Sequence, residues 1–365
     1  MKQGLHFMRY VIGCLFFVIA TIAVKGQALS ERSFGFAAER GFIFAHSQDV
    51  QNTSGANPLG IQLAWNKQWL DEATWNICGC FPRTGWVLQY VDYDNSILGR
   101  SLHIAPYIEP YWGYGNKFSA SIKAIAGLSY LTNPYHPEKN PANQSYSLPV
   151  SGYVALGFGL HYRVNPTIQL NAYGFYNHIS NGGIKDPNKG INWPTLQLGI
   201  DYTFAPVAVP TYKRTTFDKK QAERYWEIGG YWSSRTVKAG EKNRWHIWGV
   251  QAKRGWQVAS INDLTVGAEL WYDYSLKERM RRQGELDVLP LRVGVLGGHA
   301  FRMGRFDFSQ QIGVYVYNPS GFFPAIYQRY GLLYRFSQQW YAGVNVLAHG
   351  HVANFLDFRL AHRLH

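Results

Sequence analysis

The sequence predicts an all-β protein, an antiparallel transmembrane β-barrel of about 16 strands, and three observations carry that expectation. Charged residues are 16% of the 365-residue chain, below the usual share of about 25%. Aromatic residues reach 16%, with 25 Tyr and 13 Trp, and there are 37 Gly. Beyond the first turns of the chain, no stretch approaches the roughly 20 apolar residues that a membrane-spanning helix needs. Strand-like runs instead alternate apolar and polar residues, separated by polar breaks bearing Gly or Pro. On a barrel, that alternation turns apolar side chains to lipid and polar ones to the lumen, with aromatic girdles at the interfaces. A secreted soluble sandwich is the competing reading of the composition alone.

The chain begins with an expected export signal over residues 1–26. Lys2 and Arg9 supply a positive start, an apolar run follows from Val11 to Val24, and Val24-Lys25-Gly26 offers a small-residue cleavage site. Cys14 lies inside the apolar run rather than after it, which argues against a lipoprotein acceptor. Eight strands are expected near 33–47, 61–68, 85–93, 101–115, 118–133, 150–164, 168–182 and 195–204. A polar, Pro-bearing stretch at 205–223 reads as a linker. A second set of eight follows near 224–237, 244–260, 263–276, 287–301, 304–318, 325–337, 338–350 and 354–364. The domains are thus a first barrel unit over 27–204, the linker, and a second, degenerate unit over 224–365.

The two sets are related. Residues 159–181, "GLHYRVNPTIQLNAYGFYNHISN", align without gaps on 331–353, matching Gly159 to Gly331, Leu160 to Leu332, Tyr162 to Tyr334 and Arg163 to Arg335. Such self-similarity points to duplication. The first unit also closes on the aromatic "YTF" at 202–204. Both observations favour two eight-stranded repeats over the alternative of one wide barrel. If the N-terminus is periplasmic, odd-numbered strands run outward. The long polar breaks at 48–60 and 134–149 and the break after strand seven then face the exterior. The connection at 69–84 is long for an inner turn.

The formal charge is +13. For an exported protein the counter-charge is phosphate on lipid or lipopolysaccharide rather than nucleic acid. A basic cluster of Lys277, Arg279, Arg281 and Arg282 falls in a predicted loop and reads as either a solvated face or an anionic-lipid contact. Cys78 and Cys80 remain after processing. A bridge between them is permitted in an oxidising compartment but tight, and zinc would need further ligands, so both read as structural. No metal or cofactor is implied.

One constellation stands out in "YNHISNGGIKDPNKGIN", residues 176–192. On strand seven, Ile168, Leu170, Ala172, Gly174 and Tyr176 share the expected lipid face, and the same parity carries His178 and Ser180 onto it. On strand eight, Leu196, Leu198, Ile200, Tyr202 and Phe204 share that face, and parity carries back to Asn192. Unpaired polar groups are costly in an apolar setting, by about a few kcal/mol, so three converging polar residues there call for a reason. Their chemistry suits acyl transfer. A serine hydroxyl needs a base to take its proton, histidine serves near neutral pH, and a third group orients the imidazole. The bland readings are a polar turn for the whole segment, with Gly182 and Gly183 serving turn geometry and Pro187-Asn188 a turn signal. "NGG" lacks the lysine and helix of a phosphate loop.

The stretch "HISNGGIKDPNKGINWPTLQLGIDYTF", residues 178–204, resembles the PagL-type lipid A 3-O-deacylases, acyloxyacyl hydrolases that are eight-stranded outer-membrane barrels. His178, Ser180 and Asn181 match the family's His-x-Ser-Asn, and Pro187, Asn188 and Gly190 its hairpin. The resemblance implies Ser180 as nucleophile, His178 as general base and Asn181 near the oxyanion or substrate. Asn192 departs from the pattern, because the family has glutamate at that offset. An asparagine oxygen can accept the imidazole N–H but brings no charge to stabilise imidazolium. Asp186 is a substitute candidate at the loop tip; Asp201 has the wrong parity. The implied activity is that of an outer-membrane serine esterase removing an ester-linked acyl chain from lipid A, with lipopolysaccharide and outer-membrane lipid as partners. The alternatives are a phospholipase or other acyl esterase, and a non-catalytic barrel for lipid or partner binding or solute passage.

Overall fold

In the computed structural model, residues 29–213, 217–285, 288–350 and 352–364 are described. The expected export signal lies outside them. The first eight strands are β1 (Ser30–Gly41), β2 (Leu59–Trp69), β3 (Phe81–Asp92), β4 (Arg100–Trp112), β5 (Phe118–Leu131), β6 (Val150–Arg163), β7 (Ile168–Ser180) and β8 (Ile191–Thr203). They form a closed antiparallel barrel, with β1 pairing to β8 from Ser33↔Thr203 to Gly41↔Thr195. The next eight are β9 (Arg224–Arg235), β10 (Trp245–Ala259), β11 (Asn262–Asp273), β12 (Leu291–Met303), β13 (Phe306–Tyr317), β14 (Ile326–Arg335), β15 (Trp340–His349) and β16 (Val352–Leu364). They close separately, β9 pairing with β16 from Leu364↔Trp226 to Phe358↔Trp232. The single wide barrel is therefore ruled out: the first sheet seals on itself before the chain reaches residue 205, so the two halves share no lumen.

The sequence alternation is what builds these walls. On β2, Leu59, Ile61, Leu63 and Trp65 are exposed while Gln62, Asn66 and Gln68 are buried. Apolar-out, polar-in is the reverse of a soluble protein and the order that a lipid solvent requires. An eight-stranded barrel has an interior just wide enough for side chains to fill, and here charged pairs fill it. In the first barrel Arg83 meets Asp201 at 2.6 Å, and Glu109 accepts from Tyr173 and Ser121 while lying 3.9 Å from Lys123. In the second, Arg329 bridges Glu269 and Asp357, and Arg363 bridges Glu227 and Asp307. A buried charge is tolerable only when paired in this way.

The duplication is visible in register. Gly159 stands opposite Tyr173 between β6 and β7, and Gly331 opposite Asn345 between β14 and β15. Both members of the second pair lie 172 positions beyond the first. The alignment read from sequence thus joins the same pair of strands, at the same ladder position, in each barrel.

Two expectations are corrected by helices. The long inner connection is shortened, because β2 runs to Trp69 and β3 starts at Phe81, and helix α1 (Glu72–Cys78) fills the gap. Asp71 caps α1 through the Thr74 N–H, Gly79 ends it in the left-handed region, and Cys78 and Cys80 are disulfide-bonded just beyond. The basic cluster is not in a loop but on helix α2 (Tyr274–Arg282), capped by Asp273. The strand expected to reach 276 stops where that cap begins. Helix periodicity places Glu278 within reach of Arg281 and Arg282, and both bond it. Those bonds hold the Glu278 carboxyl down to about 2, with Arg281 the larger influence.

Candidate active site

The site sits at one rim of the first barrel, the rim that also carries the long connections 42–58, 132–149 and 181–190. On β7 the inward set, from Gln169 through Asn177 to Ile179, is buried, and the outward set includes exposed Leu170 and Tyr176. His178 and Ser180 continue that outward set and are half-buried. The strand spaces them about 6.7 Å apart on one face. Ser180 faces Gly152 across the β6–β7 ladder, so no side chain covers its neighbouring position. Around the pair lie the exposed side chains of Val154, Leu156, Tyr176 and Leu196, an apolar wall facing outward.

β8 supplies the third residue. The ladder places Asn192 directly opposite His178, and its Oδ1 lies 2.6 Å from His178 Nδ1. With a carbonyl oxygen there, Nδ1 carries the proton and donates, which leaves Nε2 with its lone pair free to act as base. β8 starts at Ile191, four residues earlier than expected, and that extension through Pro194 is what brings Asn192 into the ladder. Gly190, just before it, has φ +80°, and a Cβ there would stand 2.9 Å from both His178 Cε1 and the Ile179 carbonyl oxygen. The glycine is required twice, by its backbone and by the imidazole lying over it.

Sequence reading missed His46. The chain beyond β1 continues beside β8 through Phe44 N–H donating to the Asn192 carbonyl at 2.8 Å, which brings His46 Nδ1 to 2.9 Å from Asn192 Nδ2. An amide nitrogen is a donor, so His46 Nδ1 accepts, and this contact fixes which way the Asn192 amide faces. The signal was present: Phe34, Phe36, Phe42 and Phe44 are exposed, and His46 keeps their parity. Replacing His46 by alanine is expected to lower kcat by about three- to tenfold, the range of one neutral hydrogen bond, measured with a soluble acyl ester. Unchanged kcat would show that the His46 contact with Asn192 does not matter to the reaction.

No hydrogen bond joins His178 to Ser180 among the described residues. Ser180 Oγ instead accepts from the Gly182 N–H at 3.4 Å, a long contact. Asn181 is buried, with its side chain turned into the loop: Nδ2 donates to the Lys185 carbonyl at 2.7 Å and to Ser147 Oγ at 3.3 Å. Its N–H donates to Asn188 Oδ1. The substitutes for a carboxylate lie elsewhere. Asp201 is inside the barrel on Arg83, and the Asp186 carboxylate is 3.8 Å from Arg279 on α2. No cluster of three or more His, Cys, Asp or Glu that could hold a metal occurs among the described residues.

Comparison with known proteins follows the same division. The family model described as lipid A 3-O-deacylase (PagL) matches residues 59–201, and the one described as the acyloxyacyl hydrolase C-terminal domain matches residues 224–365. The chain belongs to the PagL family. As a PagL-family protein it is an ester hydrolase and an outer-membrane barrel. Solved structures similar to it include the outer membrane enzyme PagL, at 20% identity over 45% of this chain and 97% of that one, with a TM-score of 0.34. Neisserial surface protein A matches at 12% identity, 48% and 99% coverage and a TM-score of 0.33. Ail of Yersinia pestis matches at 15% identity, 49% and 100% coverage and a TM-score of 0.27. The search of curated proteins gave no match.

Proposed function

We propose that the chain hydrolyses an ester-linked acyl chain of lipid A in the outer leaflet, using Ser180, His178 and Asn192. The observation that carries this reading is the 2.6 Å contact from Asn192 Oδ1 to His178 Nδ1 on the outward face of the barrel, two residues from Ser180. Family membership supplies the substrate class.

The chemistry runs as an acyl-enzyme cycle. Ser180 Oγ attacks the ester carbonyl carbon as its proton passes to His178 Nε2, and a tetrahedral oxyanion forms. Asn192 holds the imidazole through Nδ1 as it becomes positive. The Gly182 N–H, already directed at Ser180 Oγ, is placed to donate to the oxyanion, and Asn181 serves that side by holding the loop in shape. His178 then protonates the departing sugar alcohol, and a water repeats the attack to release the fatty acid and restore Ser180. The outward position suits a substrate whose acyl chains lie beside the barrel, along exposed Leu156, Leu196 and Leu198. Lys277, exposed on α2, would meet its phosphates.

The test is release of free fatty acid from lipid A in detergent by the purified protein. Native protein is expected to release one chain per lipid, and a His178→Ala form none; equal release from both would sink the proposal. Asn192→Glu is a sharper version. A carboxylate stabilises imidazolium where an amide does not, so kcat is expected to hold or rise by about tenfold, the worth of roughly 1.4 kcal/mol. Native kcat in an Asn192→Ala form would show that Asn192 does not orient His178.

A further inference from the structure

The seam that closes the second barrel is incomplete at the rim where the site lies. β16 begins at Val352 and β9 runs to Arg235, yet their pairing stops at Phe358↔Trp232. Beyond that point β9 runs on for three residues, Ser233–Arg235, and β16 has six, Val352–Asp357, with no ladder between them. Buried backbone groups rarely stay unpaired, and here four of the backbone groups at the seam find partners from two sources. Ser233 Oγ donates to the Leu356 carbonyl, and Arg235 donates to the Asn354 carbonyl. The N–H groups are taken by the first barrel: Leu356 N–H donates to the Gly182 carbonyl at 2.6 Å, and Thr236 N–H donates to the Ile184 carbonyl at 3.3 Å. Thr236 Oγ1 in turn accepts from the Asp186 N–H at 3.0 Å. Residues 182–184, the segment immediately after Ser180, thus lie in the mouth of the seam between β9 and β16.

The fit is close enough to dictate sequence. A Cβ on Gly182 would collide with the Leu356 side chain, and one on Gly183 with the Asn354 carbonyl oxygen, while both glycines have positive φ, +64° and +75°. The "NGG" of the sequence therefore answers to the second barrel as well as to its own turn. The opposite side of the loop is braced by the first barrel's own 132–149 connection, where Ser147 Oγ donates to the Lys185 carbonyl and Gly190 N–H to the Ser145 carbonyl.

The duplication explains how the second barrel can do this. In the repeat register His178 falls on Gly350 and Ser180 on Val352. β15 ends at His349 and β16 starts at Val352, so ten residues separate the corresponding strands in the first barrel and two in the second. The second copy has lost the catalytic positions and the loop, and its rim is left open to receive the loop of the first.

We propose that the second barrel is the holder of the catalytic loop: by receiving Gly182–Ile184 into its open seam, it fixes the peptide groups beside Ser180, and Leu356 and Thr236 are its positioning residues. Since a peptide is planar, fixing the Gly182 carbonyl towards Leu356 fixes the Gly183 N–H in the opposite direction. The Gly182 N–H on Ser180 Oγ belongs to the preceding peptide, whose Asn181 carbonyl accepts from the Ile184 N–H at 3.3 Å. The inference rests on the esterase reading only for its catalytic consequence.

The test uses the full chain in detergent, with two readouts: hydrogen exchange of the amides of 182–186, and kcat and KM on a long-chain p-nitrophenyl ester. Leu356→Pro removes the N–H that Gly182 uses. Because that N–H lies on the seam side, the β15 ladder keeps its bonds. Thr236→Val removes the acceptor for Asp186, and Thr236→Ser restores it. The expected result is faster exchange of the loop and a fall in kcat of about tenfold for Leu356→Pro, since small misplacements of reacting groups are costly, with KM within about twofold of native. Thr236→Val is expected to move the same way and Thr236→Ser to recover. Native kcat in these variants, loss of kcat with native loop exchange, or failure of Thr236→Ser to recover would each overturn the proposal. If Leu356→Pro does not insert, the Thr236 pair decides. Should the native chain prove inert as an esterase, the exchange readout still decides whether the seam holds the loop.

Discussion

Ser180→Ala is expected to lower ester hydrolysis by at least about 10³-fold, leaving whatever the remaining hydrogen-bond donors provide. The size follows from the arrangement. Removing Oγ removes the atom proposed to carry the acyl group, whereas the loop that surrounds it stays anchored by Asn181, Asn188 and the second barrel. Stability should therefore be close to native, because Ser180 is half-buried and gives up one long contact to the Gly182 N–H. Rates on a chromogenic ester, with heat-dependent gel mobility to show a folded barrel, check both halves of the expectation. A Ser180→Ala protein retaining a tenth of native kcat would exclude Ser180 as nucleophile.

Gly190→Ala is the second large effect, and it reaches His178, the proposed base, rather than Ser180. The added Cβ meets His178 Cε1 and the Ile179 carbonyl oxygen at 2.9 Å, and the backbone at φ +80° already disfavours any side chain. The imidazole is the more movable of the two neighbours, so it must shift off its contact with Asn192. A displacement of about 1 Å at a reacting group costs about 10²-fold, and kcat should fall by that order. Gly240→Ala separates geometry from general strain. That residue has a similar φ of +79° but nothing within 4 Å of an added Cβ. Its kcat should match native. Equal losses in both variants would mean that the Gly190 effect reports folding, not the position of His178.

The site was legible where strand parity sufficed. Period-two alternation carried His178 and Ser180 to the outward face and brought Asn192 opposite, because a ladder leaves no freedom once its register is set by the residues before it. The same rule held for the walls, and the repeat offset of 172 survived as a ladder coincidence between Gly159↔Tyr173 and Gly331↔Asn345. What parity cannot see is where a strand ends. β8 is read from sequence as starting at 195, four residues later than it does, yet Pro194 stands in the ladder opposite Tyr176. Helix α2 was hidden for a related reason: nine residues bracketed by strands carry too few turns to show a period, and its cap, Asp273, is also the last residue of β11.

Contacts between distant segments were the least legible. His46 reaches Asn192 across 146 residues, and Leu356 reaches Gly182 across the whole linker. Neither follows from local spacing. Gly182 and Gly183 read as turn residues because a turn is the cheapest reason for paired glycines. The presence of a second barrel against them is a tertiary fact that local spacing does not carry.

The most direct test of the central claim, that Ser180 and His178 on the outer face of the first barrel deacylate lipid A, is mass spectrometry of lipid A from bacteria expressing the native chain or its Ser180→Ala form. The account predicts lipid A lighter by one acyl group with the native chain and full-length lipid A with Ser180→Ala, both proteins being inserted to the same level. Identical lipid A profiles from the two would contradict it.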